Sequence, residues 1–294
     1  MVGDKGIKKI LIICLFLLPS LIGLIVFKGI PIIWSLILSF TKWDLIGSPR
    51  WIGLGNYKNI ILDKDFWGAL AHTLYFILGY LPLVIIFALL TALLLNRKIK
   101  GITAFRAIYF VPVISSWVAV SMIWRWLYNS QYGLINYLLS LIGITGPAWL
   151  QDPHYAMPAI IMTSVWKDTG FLMIMFLAGL QNISEDYYEA AEIDGASGIK
   201  KFFSITLPLL GPTTFFVLII SIINSFQVFD QIWVMTQTEP TAAYTQVLVT
   251  QIYNYGFKYY KMGYASALSW VLFLLIFVFT LIQNKLQKRW VNYE

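Results

Sequence analysis

The polar residues able to do chemistry in this sequence fall in three places, all set among apolar runs. The first is Glu189-Ala190-Ala191-Glu192-Ile193-Asp194-Gly195, running on to Ile205-Thr206-Leu207-Pro208; it combines carboxylates, small residues, a glycine and a proline in a definite order. The second is Trp166-Lys167-Asp168-Thr169-Gly170-Phe171, two charges inside an apolar run, and the third is Ser221, Asn224, Ser225, Gln227, Asp230 and Gln231 inside another. Such groups suit recognition better than bond-making. His72 and His154 stand at no metal-ligand spacing, and there is no Gly-rich phosphate loop, HExxH or GxSxG pattern. No catalytic residue, metal ligand or resident cofactor is expected, and both histidines read as structural.

The elements that must position these groups follow from composition. Hydrophobic residues make up 59% of the 294 and charged ones 12%, and the mean hydropathy of +0.73 describes a chain that lives in a membrane. The net charge of +7 is scattered over short loops without a basic patch, which argues against nucleic acid. Cys14 lies in an apolar run and is expected to be a buried thiol. Apolar runs at about 10–40, 70–95, 103–127, 156–180, 213–235 and 264–283 are each near the ~20 residues that cross a hydrocarbon core. The expectation is therefore an all-α membrane protein with six transmembrane helices in a single domain, residues 1–294, with residues 181–212 as a polar loop.

Basic residues set the orientation. Lys5, Lys8 and Lys9, then Arg97, Lys98, Lys100 and Arg106, then Lys200 and Lys201, then Lys285, Lys288 and Arg289 share one side and outnumber those on the other. Both termini and the Glu189 loop are assigned to the cytoplasm. Residues 41–65 and 128–155 are expected outside, the latter with a short interfacial helix over 134–144, and Pro31 is expected to bend or end the first span.

In the loop, Ser184 is a good N-cap, and Glu185 and Asp186 suit the first turn of a helix that stops at Gly195. A second short helix starts at Ser197, places Ile199, Phe202 and Phe203 on one face and ends at Pro208. Ala190, Ala191 and Gly195 leave one region almost without side-chain bulk, so another chain could approach closely. The competing reading is an amphipathic helix lying on the membrane, which would carry more basic residues and fewer acids.

Glu-Ala-Ala, three residues, Gly195, nine residues and Ile205-x-Leu207-Pro208 resemble the EAA signature of permease subunits of bacterial ABC importers. Ser39-Phe40, Gly53-Leu54-x-Asn56-Tyr57, Arg106 with Phe110-x-Pro112, and Gly263-Tyr264-Ala265-x-Ala267 are similar to the carbohydrate-uptake branch, in the maltose or glycerol-3-phosphate type. The resemblance covers nearly the whole chain and implies the type I importer permease fold. It also implies that Glu189, Ala190, Ala191, Asp194, Gly195, Leu207 and Pro208 couple to an ATPase subunit dimer that carries the ATP and Mg. The other partners it implies are a second homologous permease, a solute-binding protein and membrane lipid, in the bacterial cytoplasmic membrane. Gln237-Thr238-Glu239-Pro240 departs from the Gly-Gly-Pro that the family often has there, which puts the shape of that outer loop in question.

A charge at membrane depth is costly unless it is paired or lines a wet cavity. The resemblance places a sugar path at Trp166, Lys167, Asp168 and Phe171, and at Ser221, Asn224, Ser225 and Val228, where aromatic faces and polar groups suit a saccharide. A Lys167–Asp168 pair that only holds helices together is the plainer alternative, and Asp230 and Gln231 suit either a gate or interhelical hydrogen bonds. The reading is a non-catalytic permease subunit of an ATP-driven importer for an oligosaccharide or sugar derivative. An ion-coupled carrier using Lys167, Asp168 and Asp230 as relay charges, and a permease for a sugar phosphate or glycerol phosphate, are the alternatives weighed.

Overall fold

The computed structural model describes residues 3–97 and 100–287. Lys98, Lys288 and Arg289, used above for orientation, lie outside the described residues, as do the side chains of Lys5 and Lys8. The chain divides into two units, residues 1–63 with 252–271 and residues 64–251 with 272–294.

In the first unit, helix α1 (Gly3–Leu24) passes through one wide π turn at Ile25–Gly29 into α2 (Ile30–Ser39). Pro31 stands in the first turn of α2, where its missing N–H costs little, so the helix continues through it and is widened just before it. No residue of the apolar window in Leu11–Ser39 is buried within the chain. Cys14 on this helix is exposed, contrary to expectation; an apolar run facing lipid hides no more of itself in protein than a polar run facing water. Strands β1 (Thr41–Lys42) and β2 (Arg50–Trp51) pair antiparallel, Thr41 opposite Trp51. The Asn56 amide donates to the Ser39 and Thr41 carbonyls at 2.9 and 2.8 Å, which explains the Gly53-Leu54-x-Asn56-Tyr57 turn ahead of α3 (Gly55–Leu62). A Cβ at Gly263 would collide with the Thr41 carbonyl oxygen, so glycine is required where α14 (Met262–Gln287) begins.

The second unit is built on α4 (Lys64–Leu95) lying along α8 (Pro153–Gln181). Phe76, Val84, Ile160, Met173 and Phe176 are buried to 1% exposure or less between them, with Val217. Arg106 on α5 (Ile102–Ile114) donates to the Leu95 carbonyl at 2.9 Å and so ties α5 to the end of α4. The expected span at 103–127 is two helices: α5 meets α6 (Trp117–Leu127) at 98°. Pro112 removes a backbone donor and the Ser115 hydroxyl bonds back to the Val111 carbonyl at 3.1 Å, so the helix stops there. The short outer helix is present as α7 (Leu134–Leu141). The expected span at 213–235 is also interrupted, α12 (Gly211–Phe226) and α13 (Asp230–Thr236) being separated by residues 227–229. Among the described residues, four helices are long and apolar enough to cross a membrane alone, or up to six spans with each bent pair counted as one.

Between α8 and α12 the loop folds as the caps dictate. Helix α9 (Glu185–Ile193) starts at Ser184, whose hydroxyl accepts from the Asp186 N–H. It ends in a Schellman turn: Ala196 N–H reaches the Ala191 carbonyl at 2.8 Å, Gly195 N–H reaches Glu192 at 3.0 Å, and Gly195 takes φ +72°. Next come α10 (Gly198–Lys201), a π turn at Phe202–Thr206 and α11 (Leu207–Leu209), so the helix runs just past Pro208 rather than ending at it. The axis then bends by 65° into α12.

Candidate functional site

The break after α12 coincides with a cavity of about 280 Å³. Its walls are Phe76 and Tyr80 from α4, Trp117 from α6, Asp168 from α8, and Asn224, Ser225 and the stretch Gln227–Gln231 from the break and its flanks. Backbone that leaves the helical hydrogen-bond pattern at membrane depth is tolerated only where it lines a cavity or is buried in protein. Phe229, with φ −147° and ψ −63°, carries that irregularity. Its carbonyl starts α13 by accepting from Trp233 N–H at 2.8 Å.

Adjacent residues on α8 point about 100° apart, and Trp166, Lys167 and Asp168 accordingly go three ways. Asp168 faces the cavity, where its Oδ2 accepts from the Tyr80 hydroxyl at 2.7 Å. Lys167 is buried, its amine donating to the Val113 carbonyl at 3.3 Å and lying 4.6 Å over the Trp117 ring. Trp166 is half-exposed, edge-on to Trp124 at 5.4 Å, and Phe171 is exposed; neither lines the cavity. Of the residues expected along a substrate path, Asp168, Asn224, Ser225 and Val228 come together, whereas Trp166, Lys167, Phe171 and Ser221 do not join that wall. Ser221 is buried with its hydroxyl unpaired, and Ser225 bonds back to the Ile222 carbonyl at 2.8 Å. Gln231 donates to the Ser164 hydroxyl at 3.3 Å, an interhelical bond.

The loop residues are presented to solvent. Glu189, Ala190, Asp194 and Gly195 are exposed and Ala191 is partly so; a Cβ at Gly195 would meet nothing within 4 Å. Ile193, Ile199 and Phe203 are 88%, 75% and 61% exposed, outside the long apolar runs. Leu207 and Pro208 are exposed beside Thr206, which bonds to the Tyr188 hydroxyl at 3.0 Å. Lys201 donates to Glu192 at 2.6 Å and crosses from α10 to α9; its hydrogen bond and then its charge hold the Glu192 carboxyl below the usual range.

The departure at Gln237–Pro240 has a definite geometry. The Arg125 guanidinium donates to the Thr238 hydroxyl at 2.6 Å and to Glu239 at 2.9 Å, clamping the loop to α6. His72 Nδ1 lies 3.0 Å from the Gln246 carbonyl oxygen, and His154 Nδ1 lies 3.0 Å from the carboxylate of Asp152, the N-cap of α8. The Asp152 carboxyl is lowered by the His154 backbone N–H it accepts. No group of three or more His, Cys, Asp or Glu able to hold a metal occurs among the described residues.

Residues 52–292 match the family described as binding-protein-dependent transport system inner membrane component. The chain belongs to this family. The permease is 39% identical to a probable ABC transporter permease protein, YesP, of Bacillus subtilis, over 95% of this chain and 91% of that one. It is 37% identical to the trehalose/maltose transport system permease protein MalF of Thermococcus litoralis, over 92% of each. It is also similar to the crystal structure of a bacterial ABC transporter involved in the import of the acidic polysaccharide alginate. That match has a TM-score of 0.87 and 27% identity, over 97% of this chain and 98% of that one. The permease therefore has the all-α, type I ABC importer fold and is a multi-pass membrane protein.

Sequence reasoning missed Phe76, Tyr80, Trp117 and Phe229 as cavity walls. A tyrosine within the apolar run of α4 was a usable signal for Tyr80, because a buried hydroxyl needs a partner. Trp117 and Phe229 depend on helix breaks that a continuous-span reading conceals.

Proposed function

We propose that the permease carries a saccharide across the membrane through the cavity at the α12–α13 break, delivered by a solute-binding protein and driven by a partner ATPase dimer. A second homologous permease completes the path. The observation that carries this reading is the make-up of the cavity, in which the aromatic side chains of Phe76, Tyr80, Trp117 and Phe229 stand beside Asp168, Asn224, Ser225 and Gln227. Aromatic rings cover the apolar faces of a sugar, and amides, hydroxyls and a carboxylate take its hydroxyls. Sugar names among the relatives, including trehalose/maltose and arabinooligosaccharides, support the same class. One relative of known structure was crystallised with its alginate-bound periplasmic protein, which supports the delivery step.

Drive enters through residues 181–212. The exposed Ile193, Ile199 and Phe203, with the unencumbered Gly195 turn, form a surface that fits a groove on the ATPase. ATP-dependent closure of the two ATPases draws the paired loops together and tips the membrane helices between inward- and outward-facing states around the cavity. The chain itself is non-catalytic, and its termini and this loop lie on the cytoplasmic side of the membrane. Family membership leaves the ion-coupled carrier without support.

Asn224→Trp tests the path, because Asn224 is exposed to the cavity and tolerates bulk without disturbing the core. In proteoliposomes holding the complete importer, saccharide uptake should fall by at least about ten-fold while subunit assembly and basal ATP hydrolysis persist. Unchanged uptake would remove the cavity from the path.

A further inference from the structure

The charge carried by the cavity wall limits what can sit in it. Asp168 on α8 and Asp230 at the start of α13 both line it, and among the described residues no lysine or arginine does. Asp168 engages Tyr80 through Oδ2 and leaves Oδ1 without a hydrogen-bond partner among the described residues. Asp230 is exposed and makes no ion pair among them. The nearest candidate for a compensating cation is Lys167, next to Asp168 in sequence. Its amine donates to the Val113 carbonyl, lies over the Trp117 ring and does not reach the wall, so its charge acts on Asp168 only through space and leaves Asp230 without a counter-charge on the wall. Arg125, the cation of α6, is held by Glu239 and Thr238.

We propose that this cavity admits neutral saccharides and those bearing an amino group, and excludes saccharides bearing carboxylate or phosphate. The proposal rests on the carbohydrate reading above and adds a charge class to it. The physical reason is direct: in a partly dehydrated cavity, screening between like charges a few ångströms apart is weak, so an anionic substituent is repelled. A free carboxylate oxygen accepts from a sugar hydroxyl or an ammonium group, and has nothing to offer another carboxylate. Rejection by unpaired like charge is a general route to specificity among ligands of one shape. The contrast falls within the family, since one structural relative imports the acidic polysaccharide alginate at 27% identity. The sugar phosphate and glycerol phosphate alternatives fall on the excluded side.

The test uses the complete importer without its solute-binding protein, held with its ATPases closed by ATP and vanadate, so that the membrane site alone is read. The probes are radiolabelled trisaccharides in matched neutral and uronate pairs: gluco and glucurono, galacto and galacturono, manno and mannurono. At least one neutral member should bind about ten-fold or more tightly than its uronate. Asp230→Asn should narrow that gap chiefly by strengthening uronate binding, as should Asp168→Asn, which keeps an acceptor for Tyr80. Raised salt should narrow it too. A uronate that binds as tightly as its neutral partner overturns the charge selection and leaves the carbohydrate reading standing, as does a gap that neither substitution moves. Silence of every pair in an importer that still hydrolyses ATP overturns the carbohydrate reading and this proposal with it.

Discussion

Gly170 lies two residues beyond Asp168, where α5 crosses α8. A Cβ at this position would run into the Tyr109 carbonyl oxygen, with Tyr109 C and Val113 Cγ2 each only 3.0 Å away. Two of the three obstacles are backbone of α5, which cannot rotate aside, so Gly170→Ala must push the helices apart. Overpacking of this kind costs about 1–3 kcal/mol, and the upper end applies against backbone; the better helix propensity of alanine returns about 1 kcal/mol. The net loss is about 2 kcal/mol. Gly79 on α4 provides the control. There a Cβ would meet Ile161 Cδ1 at 2.7 Å, the far end of a flexible side chain; Gly79→Ala should cost about 1 kcal/mol in repacking and regain about as much in propensity. Thermal unfolding of the purified complete importer, followed by tryptophan fluorescence, should place the Gly170 variant about 4–8 °C below the Gly79 variant. Because α5 also holds Lys167 through the Val113 carbonyl, uptake should fall in the first variant and not in the second. Equal melting temperatures for the two would refute the claim that backbone contact sets the α5–α8 crossing.

Gly195→Asn should keep the left-handed turn of the loop, while Gly195→Val should strain it by about 1–2 kcal/mol. Both add bulk in open space, so both should leave the membrane helices folded yet weaken ATPase association in pull-down from membranes; undiminished association would remove Gly195 from the contact. Arg125→Lys cannot reproduce the forked contact to Thr238 and Glu239. For a partly exposed pair the loss should be about 1 kcal/mol or less, read as faster amide exchange over residues 237–239, and unchanged exchange there would show that the clamp does not order the loop. Glu192, lowered by Lys201, gives a pH dependence of fixed sign. Its contribution is complete above the ordinary glutamate pKa and is lost as pH falls through the lowered folded value. Exchange protection of residues 192–201 should therefore hold from neutrality down to mild acid and drop below it, and Glu192→Gln should abolish the drop; a loop better protected in acid would contradict the ion pair.

The parts legible in the sequence were those governed by local rules. Ser184 and Gly195 bracket α9 because capping is a matter of a few neighbouring residues, and the long spans declare themselves by length and hydropathy. What stayed hidden depends on how distant segments meet. The 98° bend between α5 and α6 needs Pro112 and Ser115 to act together within a run that is apolar throughout. Trp166 was expected in the substrate path with Lys167 and Asp168, but contiguity in sequence separates residues around a helix, and Asp168 alone of the three lines the cavity. Ser221, Ser225 and Val228 were expected on one helical face, but Val228 lies in the break at residues 227–229, and only that break sets Ser225 and Val228 beside Tyr80 and Trp117 while Ser221 stays out of the wall.

Ile193, Ile199 and Phe203 have a further consequence once they are seen as oily side chains in water. With the loop cytoplasmic as proposed, a subunit made without its ATPase would display them to the cytoplasm, where exposed apolar groups invite aggregation and proteolysis. On the proposed arrangement, the lifetime of the orphan chain is set by how soon it is covered, so its abundance in the cell should track the supply of its partner more closely than its own rate of synthesis.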